Sequence, residues 1–401
     1  MVETGLKAAL MRDGTALLED LLNHLSTPKG TKGRSLGRRC RQVQSVLGTF
    51  TLKREYIQTA DRTGFPLDEQ LGLVDRYTPG LVRLMLHAGA VDASFEQAEG
   101  TLRRYAGLEV SARQIQRMVQ QIGPGIPQQM SQRGVAPAPP ASVLYVAVDG
   151  TGVPMRKEAV RGRKGKQADG TARTREVKLG CVFTQLRRDE NGEPVRDPQS
   201  TSYIADFSGS ESLGLRLRQE AQLRGIAHAR HVAFLGDGAA WVWNLARQNF
   251  PQATAILDFY HACEHLHQLT SWLYPTNPQQ AKSQARHWIR ALKANGINRV
   301  IAQATRGLPQ HGIRRAEAQK EIRYLQSNAS RMRYKTFRSQ GLFIGSGVVE
   351  AGCKTVVGQR TKQSGMFWNV PRAENVLHLR CAIFSRCFDQ FEHLSTIAAA
   401  A

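Results

Sequence analysis

Three carboxylates stand where a chain of this composition could do chemistry. Asp149 closes the apolar run VAVD in VAVDGTGVP, Asp237 closes FLGD in FLGDGAAW, and Glu350 lies in GSGVVEAG at the start of an expected helix. Each has a glycine close by, so the backbone can approach a ligand without side-chain obstruction. Three converging carboxylates repel one another, and a pair of divalent ions removes that repulsion. Two such ions ~4 Å apart activate water or a 3′-hydroxyl and stabilise the leaving oxygen in phosphoryl transfer. Any one of the three, taken alone, reads first as a turn or capping residue, since Asp-Gly is a common turn dipeptide. All three at expected places in one strand order make coincidence much less likely.

DFYHACEHLH (258–267) carries a second set of polar groups. On a helix, His261 with His265, or Cys263 with His267, share a face at i and i+4, which makes two-ligand zinc sets only. The plainer reading puts Asp258 near the cap of a helix. GSGVVEAG imitates a dinucleotide loop, but Glu350 occupies the third glycine position, where its charge opposes a pyrophosphate. No P-loop is present in the sequence.

The surroundings are strongly basic. The 401 residues hold 55 Lys or Arg against 33 Asp or Glu, a formal net charge of +22. Such an excess favours a polyanionic partner, because each neutralised phosphate releases counterions. The loop 155–178 contains nine Lys or Arg and three acids. Arg161, Arg163, Lys164 and Lys166 read as a phosphate clamp beside Asp149, or as a solvated hairpin. From Lys282 to Arg338 there are fourteen Lys or Arg, with Glu317 and Glu321 as the acids. Those two read as charges on a helical stretch that tolerates their replacement by Gln. Trp368 has two readings, stacking on an unpaired base or packing in a core.

The elements that must position these groups follow from periodicity and turn chemistry. Residues 1–78 read as a basic N-terminal region with a β-hairpin over 43–57 that turns at Gly48. Residues 79–122 read as a helix-turn-helix, with Ser94 and Ser111 as caps and Gln97 and Gln114 three residues on. Its second helix buries Ile115, Met118, Val119 and Ile122. It presents Arg113, Gln114 and Arg117 to phosphates and base edges. The Pro-, Gly- and Ser-rich stretch 123–142 reads as a linker. From 143 the order is β-β-β-α-β-α-β. Three consecutive strands should form an antiparallel meander, and the later ones should run parallel. That is an α/β class compatible with an RNase H-like mixed sheet: a first core part over 143–260, a basic helical insertion over 261–340, and a second core part over 341–392.

Six scattered cysteines without a C-x-x-C pair argue against a disulfide framework and a cysteine zinc ribbon, and suit a reducing cytosol. No run of eighteen apolar residues suggests a membrane span, and the N-terminus does not read as a signal peptide. The expected location is the cytoplasm, in association with the nucleoid.

As an ordered set, VAVDGTGVP, FLGDGAAWVWN, ILDFYHACEHL, GLFIGSGVVEAGCK and GQRTKQSGMFW resemble the DDE transposases of bacterial insertion sequences. The likeness is greatest to the ISKra family, with kinship to the wider Mutator-like group, and covers roughly 80–390. The resemblance implies a metal-binding triad of Asp149, Asp237 and Glu350, and a helical insertion ahead of the Glu. The spacing, 350 − 237 = 113 positions, accommodates one. The resemblance also makes Asp258 and His261 a D-x-x-H element that is structural and positions DNA. It implies Mg²⁺ or Mn²⁺, as two ions, together with terminal-repeat and target DNA as partners and a homo-oligomer on DNA. Relatives often carry an N-terminal zinc ribbon, but REYIQTADRTGFPLDEQLG has no cysteine pair. The expected activity is hydrolysis at the element ends and joining of the freed 3′-hydroxyl to target DNA. The alternatives are a nuclease that cuts without joining and a DNA-binding protein that no longer does chemistry.

Overall fold

The structure is a computed structural model that describes residues 2–25, 33–134, 141–165, 167–185, 187–197, 199–391 and 394–400. The chain divides into two units, 1–133 with 359–401, and 134–358.

The first unit begins with α1 (Val2–His24), which lays Leu18 and Leu22 on a cluster of Val43, Phe50, Leu52 and Leu67. The cluster comes from the expected hairpin, β1 (Arg34–Gln44) antiparallel to β2 (Thr49–Gln58), with Gly48 at φ +153° in the turn. β3 (Thr63–Gly64) and α2 (Pro66–Gln70) complete that region. Then come α3 (Pro79–Val91), α4 (Phe95–Thr101), α5 (Ala112–Ile122) and α6 (Ile126–Gln132). Both serine caps form. The Ser94 hydroxyl accepts from the Gln97 N–H, and Ser111 with Gln114 makes a reciprocal capping box. Ile115, Met118, Val119 and Ile122 are all fully buried, as the helical spacing requires.

The second unit is built on a mixed sheet. β4 (Val143–Pro154), α7 (Lys157–Val160), β5 (Thr174–Gln185), the two-residue strands β6 (Arg187–Arg188) and β7 (Pro194–Val195), and β8 (Ser202–Asp206) open it. α8 (Ser210–Leu223), β9 (His231–Gly236), α9 (Ala240–Asn249) and β10 (Thr254–Leu257) follow. The five strands lie in the order β10-β9-β4-β5-β8. β4, β5 and β8 pair antiparallel, whereas β9 pairs parallel with both β4 and β10. This is the meander followed by parallel strands that the element order predicts. Gly180 and Gly236 let α8 and α9 approach one face: a Cβ at either would run into Leu217 or Val242. The strand interiors are mostly apolar because this sheet is covered on both faces.

Between β10 and the Glu350 segment the chain is helical: α10 (Phe259–Leu273), α11 (Pro278–Lys293), α12 (Ile297–Arg306), α13 (Ile313–Asn328) and α14 (Tyr334–Ser339). α15 (Gly347–Gly352) carries Glu350. The chain then returns to the first unit with α16 (Gln359–Thr361), α17 (Val370–Phe384) and α18 (Leu394–Ala400).

Two boundaries differ from the sequence reading. Residues 123–132 are not linker. They form a 3₁₀ turn and α6, and Gly123 is pressed against Asn375 so that a Cβ would stand 2.5 Å from that side chain. The glycines that suggest flexibility are there for close packing. The rest of the expected linker, 135–140, lies outside the described residues. The expected second core part also ends early, at Gly358, because Val376, Leu377 and Leu379 of α17 bury themselves in the first unit. Trp368 takes the packing alternative: it is 7% exposed, and its indole N–H donates to the Thr361 carbonyl.

Candidate active site

Strand register brings the first two carboxylates together. Along the parallel pair β4 and β9, Val143 faces His231 and Ala147 faces Leu235. Asp149 and Asp237 each stand two residues beyond this last pair, Asp149 still within β4 and Asp237 just past the end of β9. Adjacent strands lie about 4.8 Å apart. The β9–β10 pairing, Leu257 with Gly236, continues the row to Asp258. Three aspartates therefore cross the carboxyl edge of three neighbouring strands. Asp149 and Asp237 are partly exposed, whereas Asp258 is fully buried.

That difference separates their uses. One Asp258 oxygen accepts from the His261 N–H and caps α10. The other accepts from the N–H and the hydroxyl of Ser346. The Ser346 hydroxyl also lies 2.6 Å from a Glu350 oxygen. Asp258 thus ties the start of α10 to the start of α15, where Glu350 sits in the first turn.

The segment leading to Glu350 is fixed along its length. Gln185 donates to the Gly341 carbonyl, Phe343 N–H to the Tyr145 hydroxyl, and Phe259 N–H to the Ile344 carbonyl. α15 then lies flat on the sheet face opposite α8 and α9. Gly352 makes this possible, because a Cβ would come within 2.6 Å of Tyr203 and 2.9 Å of Leu179. Leu179 is the cross-strand partner of Asp149.

Sequence reasoning missed Cys353. It follows Glu350 by three residues, on the same helical face, and its thiol hydrogen-bonds the Asp149 carboxylate. Burial holds the Asp149 carboxyl above the ordinary carboxylate value, and the negative charge of Asp237 adds to this. The Cys353 thiol, the Gly150 N–H and His261 oppose it. The only signal in the sequence was the spacing within EAGCK.

The helical insertion also closes on this edge. The Tyr324 hydroxyl of α13 donates to the Asp237 carbonyl at 2.6 Å, and the Tyr334 hydroxyl of α14 donates to the Leu257 carbonyl at 3.0 Å. These carbonyls end β9 and β10, where no further strand partner takes them.

Among the described residues, no three His, Cys, Asp or Glu side chains stand together as a set able to hold a metal. The charge of Asp237 acts on Asp149, and Glu350 is joined through Ser346 to Asp258. His261 pairs with Glu264 at 3.0 Å and His265 with Glu321 at 2.5 Å, so both are engaged by carboxylates. Burial alone would lower His261, but the Glu264 hydrogen bond and the charges of Asp258, Glu264 and Asp237 hold it above its usual value.

The cationic candidates divide. Arg161, Arg163 and Lys164 are exposed on the loop after α7, while Lys166 lies outside the described residues. Arg113 is exposed. Arg117 is 3.3 Å from Asp75, and the Gln114 side-chain carbonyl accepts from the Ser111 N–H and hydroxyl at the cap. A π-turn, Leu102–Ala106, stands between α4 and α5, so their connection is longer than a tight helix-turn-helix turn.

Comparison with known proteins gives one family. The model of the uncharacterised protein family UPF0236 matches residues 16–385. No curated protein matches the chain. Among solved structures, the Drosophila P element transposase strand transfer complex is similar over 78% of this chain and 82% of that one. The identity is 10% and the TM-score 0.28. No helix among the described residues is long and apolar enough to cross a membrane.

Proposed function

The chain belongs to the UPF0236 family, and we propose that it is a metal-dependent transposase of the DDE type, built on an RNase H-like core. The observation that carries this reading is the parallel register of β4 and β9, which ends at Ala147 opposite Leu235, two residues short of Asp149 and Asp237. The Glu350 helix docked on the same face supports it, as do the strand order β10-β9-β4-β5-β8 and the charge of +22.

Asp149, Asp237 and Glu350 are the proposed ligands for Mg²⁺ or Mn²⁺, as two ions. Their oxygen chemistry fits such cations. The Asp149 carboxyl is raised mainly by burial, with a smaller contribution from the Asp237 charge, and a bound cation would offset both. When bound, the ions would supply the charge that activates water or a 3′-hydroxyl and stabilises the leaving oxygen. The protein's own contribution is positioning. The strand ends hold two ligands, and Asp258 and Ser346 aim the third. Exposed Arg161, Arg163 and Lys164 would steady a phosphate backbone beside Asp149. Arg113 and Arg117, on the proposed helix-turn-helix, would bind the element's terminal repeats, and a homo-oligomer would pair the two ends.

The test is incubation with the DNA that flanks its own gene and Mg²⁺, read for cleavage and strand transfer. Both should occur and both should stop in excess chelator. Asp149→Asn, Asp237→Asn and Glu350→Gln should each bring both steps to background while leaving DNA binding intact. Cleavage that survives chelation would sink the metal reading. Cleavage without joining would make the protein a nuclease.

A further inference from the structure

One group of residues in the insertion is not explained by its basic charge. Glu321 was expected to be an open charge on α13, interchangeable with Glu317. The structure separates them. Glu317 pairs with Lys320 on the outside, whereas Glu321 is 13% exposed and holds His265 Nδ1 at 2.5 Å. The His265 ring stacks on Tyr324, with ring centroids 3.5 Å apart and planes 23° apart. Tyr324 in turn donates to the carbonyl of Asp237. On the other side of that peptide, Gly238 has φ +95°, and a Cβ there would overlap the Tyr324 ring at 2.8 Å. The phenol is pushed well up by burial first and then by the charge of Asp237, so it stays a donor.

We infer that Tyr324, clamped by His265 and Glu321, is a positioning residue that fixes the backbone of Asp237 and so sets how tightly the carboxylate edge binds a divalent cation. The insertion is then part of the metal site's support. Outer-shell groups of this kind typically change metal affinity ~10–100-fold when removed. The inference rests on the proposed metal chemistry, and the experiment separates the two. Free Mn²⁺ is titrated by electron paramagnetic resonance into the full chain without DNA. Wild type should hold Mn²⁺, and Asp149→Asn combined with Asp237→Asn should release it. If wild type holds none, or the double variant holds as much, the metal reading fails and the inference falls with it.

With that control in place, Tyr324→Phe keeps the ring and removes only the hydroxyl. It should weaken Mn²⁺ binding about tenfold. Its melting temperature should stay within ~2 °C of wild type. Glu321→Gln should weaken binding less, and Glu317→Gln should not change it. In steady state the Mn²⁺ half-saturation should rise more than the saturated rate falls. Wild-type Mn²⁺ affinity in Tyr324→Phe would overturn the inference. So would a loss that merely tracks a lowered melting temperature in Tyr324→Phe and Glu321→Gln alike, since a purely structural role predicts that.

Discussion

The two sides of the proposed site are held by different means. Asp149 and Asp237 are placed by a parallel ladder, so their spacing comes with the sheet itself. Glu350 is placed by a chain of side-chain hydrogen bonds, Asp258 to Ser346 to Glu350, and by one glycine that lets its helix lie flat. A ladder is spread over many residues and tolerates single changes. A hydrogen-bond chain through a buried carboxylate does not, because removing one member leaves donors unsatisfied in a dry place. The strand side should therefore be hard to disturb without changing the ligands themselves, and the helix side easy.

Asp258→Ala should show the largest effect. It removes the acceptor for the His261 N–H and the Ser346 N–H, and one of the two carboxylates within reach of the Ser346 hydroxyl. Two or more orphaned buried donors cost about 3 kcal/mol or more, and urea unfolding should record it. A change under ~1 kcal/mol would mean that water or another group replaces the carboxylate, and that the two helix starts are not coupled through it.

Gly352→Ala comes next. The added methyl meets Tyr203 and Leu179, and overpacking of this kind costs about 1–3 kcal/mol. Its effect on strand transfer should exceed its effect on stability, since Glu350 moves with the helix. Ser346→Ala should be milder, about 1 kcal/mol. It should lower the cleavage rate without weakening DNA affinity. Equal rates for Ser346→Ala and wild type would show that the backbone alone aims Glu350.

The smallest effect has the opposite sign. Burial holds the Asp149 carboxyl above its ordinary value of 3.8. A group raised in the folded state favours folding while protonated, and that contribution is lost as pH rises through the raised value. At neutral pH without metal, ionised Asp149 therefore works against the fold. Asp149→Asn should raise stability by about 1 kcal/mol, the kind of gain expected where a site is built for function rather than stability. The gain should fade as pH falls through the raised value and be gone by about pH 3.8. A destabilised Asp149→Asn at neutral pH would mean that its bonds to Cys353 and Gly150 outweigh burial.

The same contrast marks what could be read from the sequence. β4, β5, β8, β9 and β10 are apolar runs ending in turn residues, and their order implied the pairing that is found. Asp149 and Asp237 were legible because each ends such a run. The capping box at Ser111 was legible because its parts lie three residues apart. Tyr324, Cys353 and Gly352 were not. Tyr324 reaches Asp237 across 87 positions, and nothing local in KEIRYLQ says what its hydroxyl meets. Gly352 looks like any glycine until Tyr203 and Leu179 are known to lie beneath it. Composition misled at 123–132, where glycines that suggested a linker instead allow close packing, Gly123 against Asn375 of α17 and Gly125 against Ile397 of α18.

The first unit is made from the two ends of the chain, and this sets the order in which it can fold. Arg360 and Arg380 are fully buried there. Arg360 donates to the carbonyls of Gly89 and Ala93, and Arg380 to that of Ala90, at and just beyond the last turn of α3. Those carbonyls are synthesised some 270 residues before the guanidinium groups that satisfy them. At ~5–20 residues per second on the ribosome, α3 waits on the order of tens of seconds for its partners. The second unit ends at Gly358. It should fold first, as a nascent domain, while the helices of 79–132 remain half-made. A ribosome stalled near residue 358 would thus release a chain with an intact proposed catalytic core and an apolar, uncovered amino-terminal half, the kind of product a chaperone holds or a protease removes.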